Sequence, residues 1–116
     1  MITYLASPYS PTSEGDSIEE RVTLACRAAA TLMRAGHNVF APIPHSHAVA
    51  EHLSEEHRFD HEFWMKQDLA VLRHCGLLVV LKLAGWDRSR GVARELELAE
   101  TLGIPIVYME ECDVTE

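Results

Sequence analysis

The sequence predicts an α/β fold: a three-layer sandwich whose parallel four-stranded sheet has the order 2-1-3-4. Three observations carry that expectation. Short apolar runs alternate with longer stretches of helical periodicity from one end of the 116 residues to the other. The run Leu77 to Leu83 is apolar almost throughout, as a strand buried on both faces requires. Two helical patterns stop at a glycine, Gly36 and Gly103, shortly before a new apolar run begins. Right-handed crossovers then fold such a chain most simply into a flavodoxin- or Rossmann-like arrangement.

Each element has its own justification. Ile2 to Ala6 is a short first strand, and Ser7 to Asp16 is a loop broken by Pro8, Pro11 and Gly15. From Ser17 to Ala35 the apolar positions Ile18, Val22, Ala25, Cys26, Ala29, Leu32 and Met33 form one helix face, with Asp16 or Ser17 as the cap. His37 to Ala41 is a second strand. Pro42 to His47 reads as a loop leading into a weak, His-rich, acidic segment that lasts to Arg58. A helix follows over Phe59 to His74, then the third strand, then a loop from Ala84 to Gly91. The next helix ends at Gly103, and Pro105 to Tyr108 is the last strand.

Length and composition set further bounds. Residues 1–116 suit a single domain, large enough for one core and too small for two. The hydrophobic share is 47 %, yet no apolar run is long enough to span a membrane, and Met1 leads directly into the first strand without a basic signal-peptide start. Cys26, Cys75 and Cys112 are odd in number and lack CxxC spacing, so they read as reduced thiols of a cytoplasmic protein. A net charge of -8 disfavours a nucleic-acid polymer as partner, since binding its phosphates needs clustered Lys and Arg. A small anion can still be held by a helix N-terminus and one or two arginines.

Two carboxylates stand where helices should carry apolar groups. At about 100° per residue, Val92, Leu96, Ala99, Leu102 and Gly103 share one face, and Glu95 falls inside that arc. Asp68 repeats the pattern among Trp64, Met65, Leu69, Val71 and Leu72, although Asp is a poor helix former. Burial raises a carboxyl pKa at an energetic cost, which makes both residues catalytic candidates. The ordinary alternatives are a glutamate at the rim of its stripe and a buried aspartate satisfied by neighbouring backbone.

Topology gathers these residues. Ligands of open parallel sheets bind beyond the strands' carboxyl ends where strand order reverses, here between strands 1 and 3. Tyr4 and Glu95 border that crevice. Ser89, Arg90 and Gly91 stand at a helix N-terminus, where free N–H groups and the helix dipole favour phosphate. His45 and His47 read as pocket-lining residues or as plain loop residues, and Trp86 as a base-stacking residue or a cover for the end of the sheet. Arg88 and Arg90 pair with phosphate or with Asp87 and Glu97. Five of the seven histidines lie between His45 and His61, but no HExxH-type spacing accompanies them, so no metal is expected.

Tyr4-Leu5-Ala6-Ser7, Gln67-Asp68-Leu69, and Ser89-x-Gly91-Val92-x-x-Glu95-Leu96 together resemble the nucleoside 2-deoxyribosyltransferase superfamily, nearest its 2'-deoxynucleoside 5'-monophosphate N-glycosidases. The resemblance follows the element order over most of the chain. It implies Glu95 as nucleophile, Asp68 as general acid, Tyr4 as the residue orienting Glu95, and Ser89 as a ligand of the 5'-phosphate. Ser7, Tyr9, Ser10, His45, His47, Trp86, Arg90 and Gly91 complete the expected substrate site. The first loop, Ser7 to Gly15, departs from the hydrolases' Gly-Ser-x-Arg-Gly-Gly, and Gly76 replaces an Asp. In these respects the chain looks more like the small, often phage-borne members of the superfamily, and the resemblance carries the expectation that it does without the C-terminal segment that reaches a neighbouring subunit's site in relatives.

The chemistry so implied needs no cofactor. Breaking an N-glycosidic bond passes through an oxocarbenium-like state that a carboxylate can stabilise or capture, while an acid of raised pKa protonates the leaving base. A retaining route places the two carboxyls about 5 Å apart. Hydrolysis and transfer to a second base remain equally open. A nucleotide-sensing module on the same scaffold is the alternative, and exposed apolar residues suggest a homodimer or larger homo-oligomer.

Overall fold

The computed structural model describes residues 1–11 and 16–114. β1 (Thr3–Ala6) lies between β2 (Val39–Phe40) and β3 (Leu77–Leu81), and β4 (Ile106–Met109) completes a parallel sheet of order 2-1-3-4. This is the topology that the alternation of elements predicts. Side chains alternate across each strand, so the two faces receive different partners. Tyr4, Ala6, Leu78 and Val80 face one layer, with Leu72, Val92 and Ala99 from α4 (His61–Leu72) and α5 (Arg90–Leu102). Leu5, Val79 and Leu81 face the other, where Ala28 and Ala29 of α1 (Ile18–Arg34) pack against them. Small residues at 25, 28 and 29 bring α1 close to the sheet.

Local chemistry sets the helix ends. The Ser17 Oγ accepts the Glu20 N–H at 3.1 Å, and Glu19 and Glu20 place negative charge in the first turn of α1. Asp60 caps α4 by accepting from Glu62 and Phe63. Ser89 caps α5, and Gly103 closes it with φ at 71°, in the left-handed region.

The stretch expected as a loop over Pro42 to His47 is instead the start of α2 (Pro42–Ala50), and the weak segment beyond it contains α3 (Glu55–Arg58). Pro42 and Pro44 occupy the first turn, where no intrahelical N–H bond is lost and the proline φ already suits a helix. Two prolines therefore start this helix rather than prevent it. Strand ends also shift: Pro105 lies just outside β4, although its carbonyl accepts the Leu78 N–H at 2.9 Å. The part of the first-loop reading that falls on residues 12–15 lies outside the described residues. Among the described residues no helix is long and apolar enough to cross a membrane.

Candidate functional site

Glu95 is 4 % exposed on α5, at a height where Tyr4 of β1 faces it. The Tyr4 hydroxyl donates to Glu95 Oε2 within the buried layer. The position follows from the helix: Val92, Glu95 and Ala99 are its buried residues and keep to one stripe, so the stripe that packs on the sheet carries the carboxyl with it. Removal from water pushes the Glu95 carboxyl up to about 8; the Tyr4 hydrogen bond opposes that rise and the negative charge of Asp68 adds to it. Burial likewise pushes the Tyr4 hydroxyl far up, with Glu95 and Asp68 both reinforcing it, so Tyr4 stays a donor.

Asp68 stands on α4, which packs directly against α5, and an Arg94–Glu62 ion pair of 2.7 Å spans the two helices at the surface. It is half-buried rather than enclosed, and burial raises its carboxyl to about 6. Because its charge reaches both Tyr4 and Glu95, the three groups form one electrostatic unit. Asp68 also opens onto a cavity of about 290 Å³ between α2 and α4. Phe40, His45, Ser46 and Gln67 line it beside Asp68, and Val49, Leu53, Phe63, Trp64 and Val71 supply apolar walls. Phe40 connects the cavity to the buried pair, its ring 5.9 Å from that of Tyr4 on one side and 5.9 Å from His45 on the other.

Around this centre the loops are tied together. Arg21, 2 % exposed, donates to Ala84 O at 2.6 Å and Pro8 O at 3.4 Å, and pairs with Asp16 at 2.7 Å. One guanidinium thus joins the loops after β1 and β3, the two that flank the point where strand order reverses. Tyr9 and His47 share a 2.8 Å hydrogen bond between the first loop and α2. Ser7 is buried, Ser10 exposed. Ser89 Oγ accepts the Val92 N–H at 3.2 Å as the cap of α5, and the N–H groups of Arg90 and Gly91 belong to the first turn, which has no intrahelical acceptor for them. Trp86 packs at 5.4 Å on Tyr108 of β4, with Lys82 over its ring, and takes no part in the α2–α4 cavity.

Residues 1–111 match the family described as Domain of unknown function (DUF1937). The chain belongs to that family. No curated protein matches it. Among solved structures, this DUF1937 chain is similar to the 2-deoxyribosyltransferase of the psychrotolerant bacterium Bacillus psychrosaccharolyticus. The identity is 25 % and the TM-score 0.66, over 95 % of this chain and 72 % of that one.

Of the residues singled out in the sequence, the DUF1937 fold brings Tyr4, Glu95 and Asp68 into one unit, sets His45 in the adjoining cavity and joins His47 to Tyr9. Reading the sequence missed Ser46 and Val49 as cavity walls, because the prolines hid the helical spacing of α2, and Phe40 of β2 and Leu53 beyond α2, which line the cavity only once α4 lies opposite. It also missed Arg21, whose burial has no local sign. Among the described residues, no three His, Cys, Asp or Glu side chains cluster as metal ligands.

Proposed function

We propose that this protein breaks the N-glycosidic bond of a (deoxy)nucleoside 5'-monophosphate, releasing the base to water or exchanging it for another. Glu95 is the nucleophile, Asp68 the general acid and Tyr4 the residue that orients Glu95. The observation that carries this reading is the buried Tyr4–Glu95 hydrogen bond with Asp68 in electrostatic reach, since burying an ionisable carboxyl costs stability. Likeness to a 2-deoxyribosyltransferase supports glycosyl transfer at nucleosides. The Ser89-x-Gly91 helix start supports a phosphate, and hence the branch that acts on monophosphates.

In the first step a Glu95 carboxylate oxygen bonds to C1' while the C1'–N bond breaks. The electron pair leaves on the base nitrogen, and the Asp68 carboxyl transfers its proton to the base. Asp68, now a carboxylate, takes a proton from water as that water opens the ester and frees Glu95. A second base in place of water completes transfer. Tyr4 holds the Glu95 rotamer through both steps. The 5'-phosphate accepts from Ser89 and from the Arg90 and Gly91 N–H groups. A Cβ on Gly91 meets nothing closer than Met65 Sδ at 3.7 Å and φ is not positive there, so the fold itself does not demand glycine and the bare backbone serves the ligand. Ser7, Tyr9, Ser10, His45 and His47 enclose the sugar and base from the first loop and α2.

Residues 1–116 act as one deoxyribosyltransferase-like domain, assembled as a homo-oligomer. The test is a panel of deoxynucleoside monophosphates with free base measured by chromatography. Release from at least one, lost in Glu95→Gln with the fold retained, is the expected result. Full activity in that variant refutes the assignment; nucleotide binding without release from any panel member replaces it with a sensor.

A further inference from the structure

The cavity between α2 and α4 is unevenly built. Phe40 and Asp68 tie one end to Tyr4 and Glu95, and the polar side chains Ser46 and Gln67 stand with them on its walls. The Ser46 Oγ is buried and has no hydrogen-bond partner in the protein, although its cost is offset only when one is supplied. Val49 lies one turn beyond His45 on α2, and Leu53 follows in the turn after that helix. Leu53 is in turn fastened toward Trp64: Arg58 donates to the carbonyls of Ala50 at 2.9 Å, Glu51 at 3.2 Å and Leu53 at 3.4 Å, and its own carbonyl accepts the Trp64 indole N–H at 2.8 Å. The side chains of Val49 and Leu53 therefore offer the cavity neither donor nor acceptor, and the one indole N–H of Trp64 is already used.

Among the described residues no Lys or Arg lines the cavity, so phosphate belongs elsewhere and its occupant is an uncharged ring. At about 290 Å³ the cavity stands at the lower edge of the roughly 300 Å³ from which small-molecule pockets begin, which leaves room for a ring with a substituent. An ordinary base pushed to the far wall buries exocyclic N–H and C=O groups against Val49, Leu53 and Trp64 with nothing to pair them. An alkyl or aryl substituent at that edge removes this cost and covers the wall.

We propose that the α2–α4 cavity is a base subsite built for a purine-sized base carrying an apolar substituent on the edge away from the glycosidic bond, with Ser46 and Gln67 bonding the ring's polar atoms. This rests on the reading of Glu95 and Asp68 as the reacting pair, which fixes where the glycosidic bond lies.

The test measures binding of free bases by calorimetry, independent of turnover, using adenine and adenine benzylated on its exocyclic nitrogen as probes. The benzylated base binds at least about tenfold more tightly. Leu53→Asn reduces that ratio to below about threefold; Val49→Gln, on a more exposed position, does the same where Leu53→Asn fails to fold. Equal affinities, binding of neither probe, or a ratio untouched by both variants overturns the inference. Base release from nucleotides is scored separately. Release with equal probe affinities leaves the enzyme reading intact and removes only the substituent preference, whereas a clear preference without release from any nucleotide keeps the subsite and removes the reaction.

Discussion

Glu95→Gln replaces a buried carboxyl with a group of the same shape that cannot ionise, and it isolates the energetic cost of having a charge at this position. The carboxyl is 4 % exposed and raised from an ordinary 4.5 to about 8. Between those two values the folded protein holds a proton that the unfolded chain has lost, so stability falls as pH rises through the window and the loss is complete above about 8. Each tenfold change in acidity corresponds to about 1.4 kcal/mol, which bounds the loss near ~5 kcal/mol; local relaxation and water entry bring the expected value to roughly 3 kcal/mol. For a chain of this length that is on the order of 10 °C in Tm. Glutamine still accepts the Tyr4 hydroxyl through its carbonyl, while its amide N–H groups add a constant offset, so the informative quantity is the change of the difference with pH. Thermal melts of both proteins from pH 4.5 to 9 should show Tm of the variant gaining on the wild type by that amount toward alkaline pH. A difference that stays flat, or one that moves against the variant as pH rises, refutes the burial argument whatever happens to activity.

Base release should follow a bell with its plateau between about pH 6 and 8, because the pair must hold one proton; a rate still rising at pH 9 excludes Asp68 as the acid. Tyr4→Phe removes the bond that lowers the Glu95 pKa, so the alkaline limb of that bell moves upward and, with less Glu95 ionised beside a protonated Asp68, kcat drops at neutral pH, measured in steady-state assays. Arg21→Met removes the buried guanidinium that bonds Asp16 and the Ala84 and Pro8 carbonyls and should cost about 3 kcal/mol in urea denaturation; a loss below ~1 kcal/mol contradicts the joining role given to Arg21. Ser89→Ala removes the α5 cap at a cost of about 1 kcal/mol, and it should raise KM for the monophosphate but not for the unphosphorylated nucleoside.

The architecture was legible because each strand carries its own signal: the 77–83 run buries on both faces, and Gly36 and Gly103 end the helices before new strands begin. Glu95 and Asp68 were legible as misfits, polar residues at apolar helical positions, and for Glu95 the misfit translated directly into burial. Asp68 translated less fully, because the side of α4 that holds Trp64 and Val71 faces a cavity rather than the core. What could not be read was everything that depends on α2. Its prolines imitate a loop, its apolar contrast is weak, and the walls it contributes acquire meaning only when α4 lies opposite. Arg21 and Arg58 belong to the same class: each is an ordinary surface residue by type, and only the folded chain shows which carbonyls converge on it.

The two acids also constrain how a substrate has to act on the protein. Between about pH 6 and 8 the pair holds one proton, and Glu95, the more deeply buried, retains the larger share of it in the free protein. The proposed reaction needs the opposite placement, with Asp68 protonated and Glu95 ionised. A base entering the α2–α4 cavity removes water from the half-exposed Asp68 and raises its proton affinity. Neutralising Asp68 withdraws the charge that helps keep Glu95 protonated, and the Tyr4 hydroxyl then favours the Glu95 carboxylate. Under the proposed reaction, occupation of the cavity by a base thereby supplies what the resting pair lacks, tying activation of Glu95 to the presence of a leaving group and keeping an uncompensated carboxylate out of the empty site.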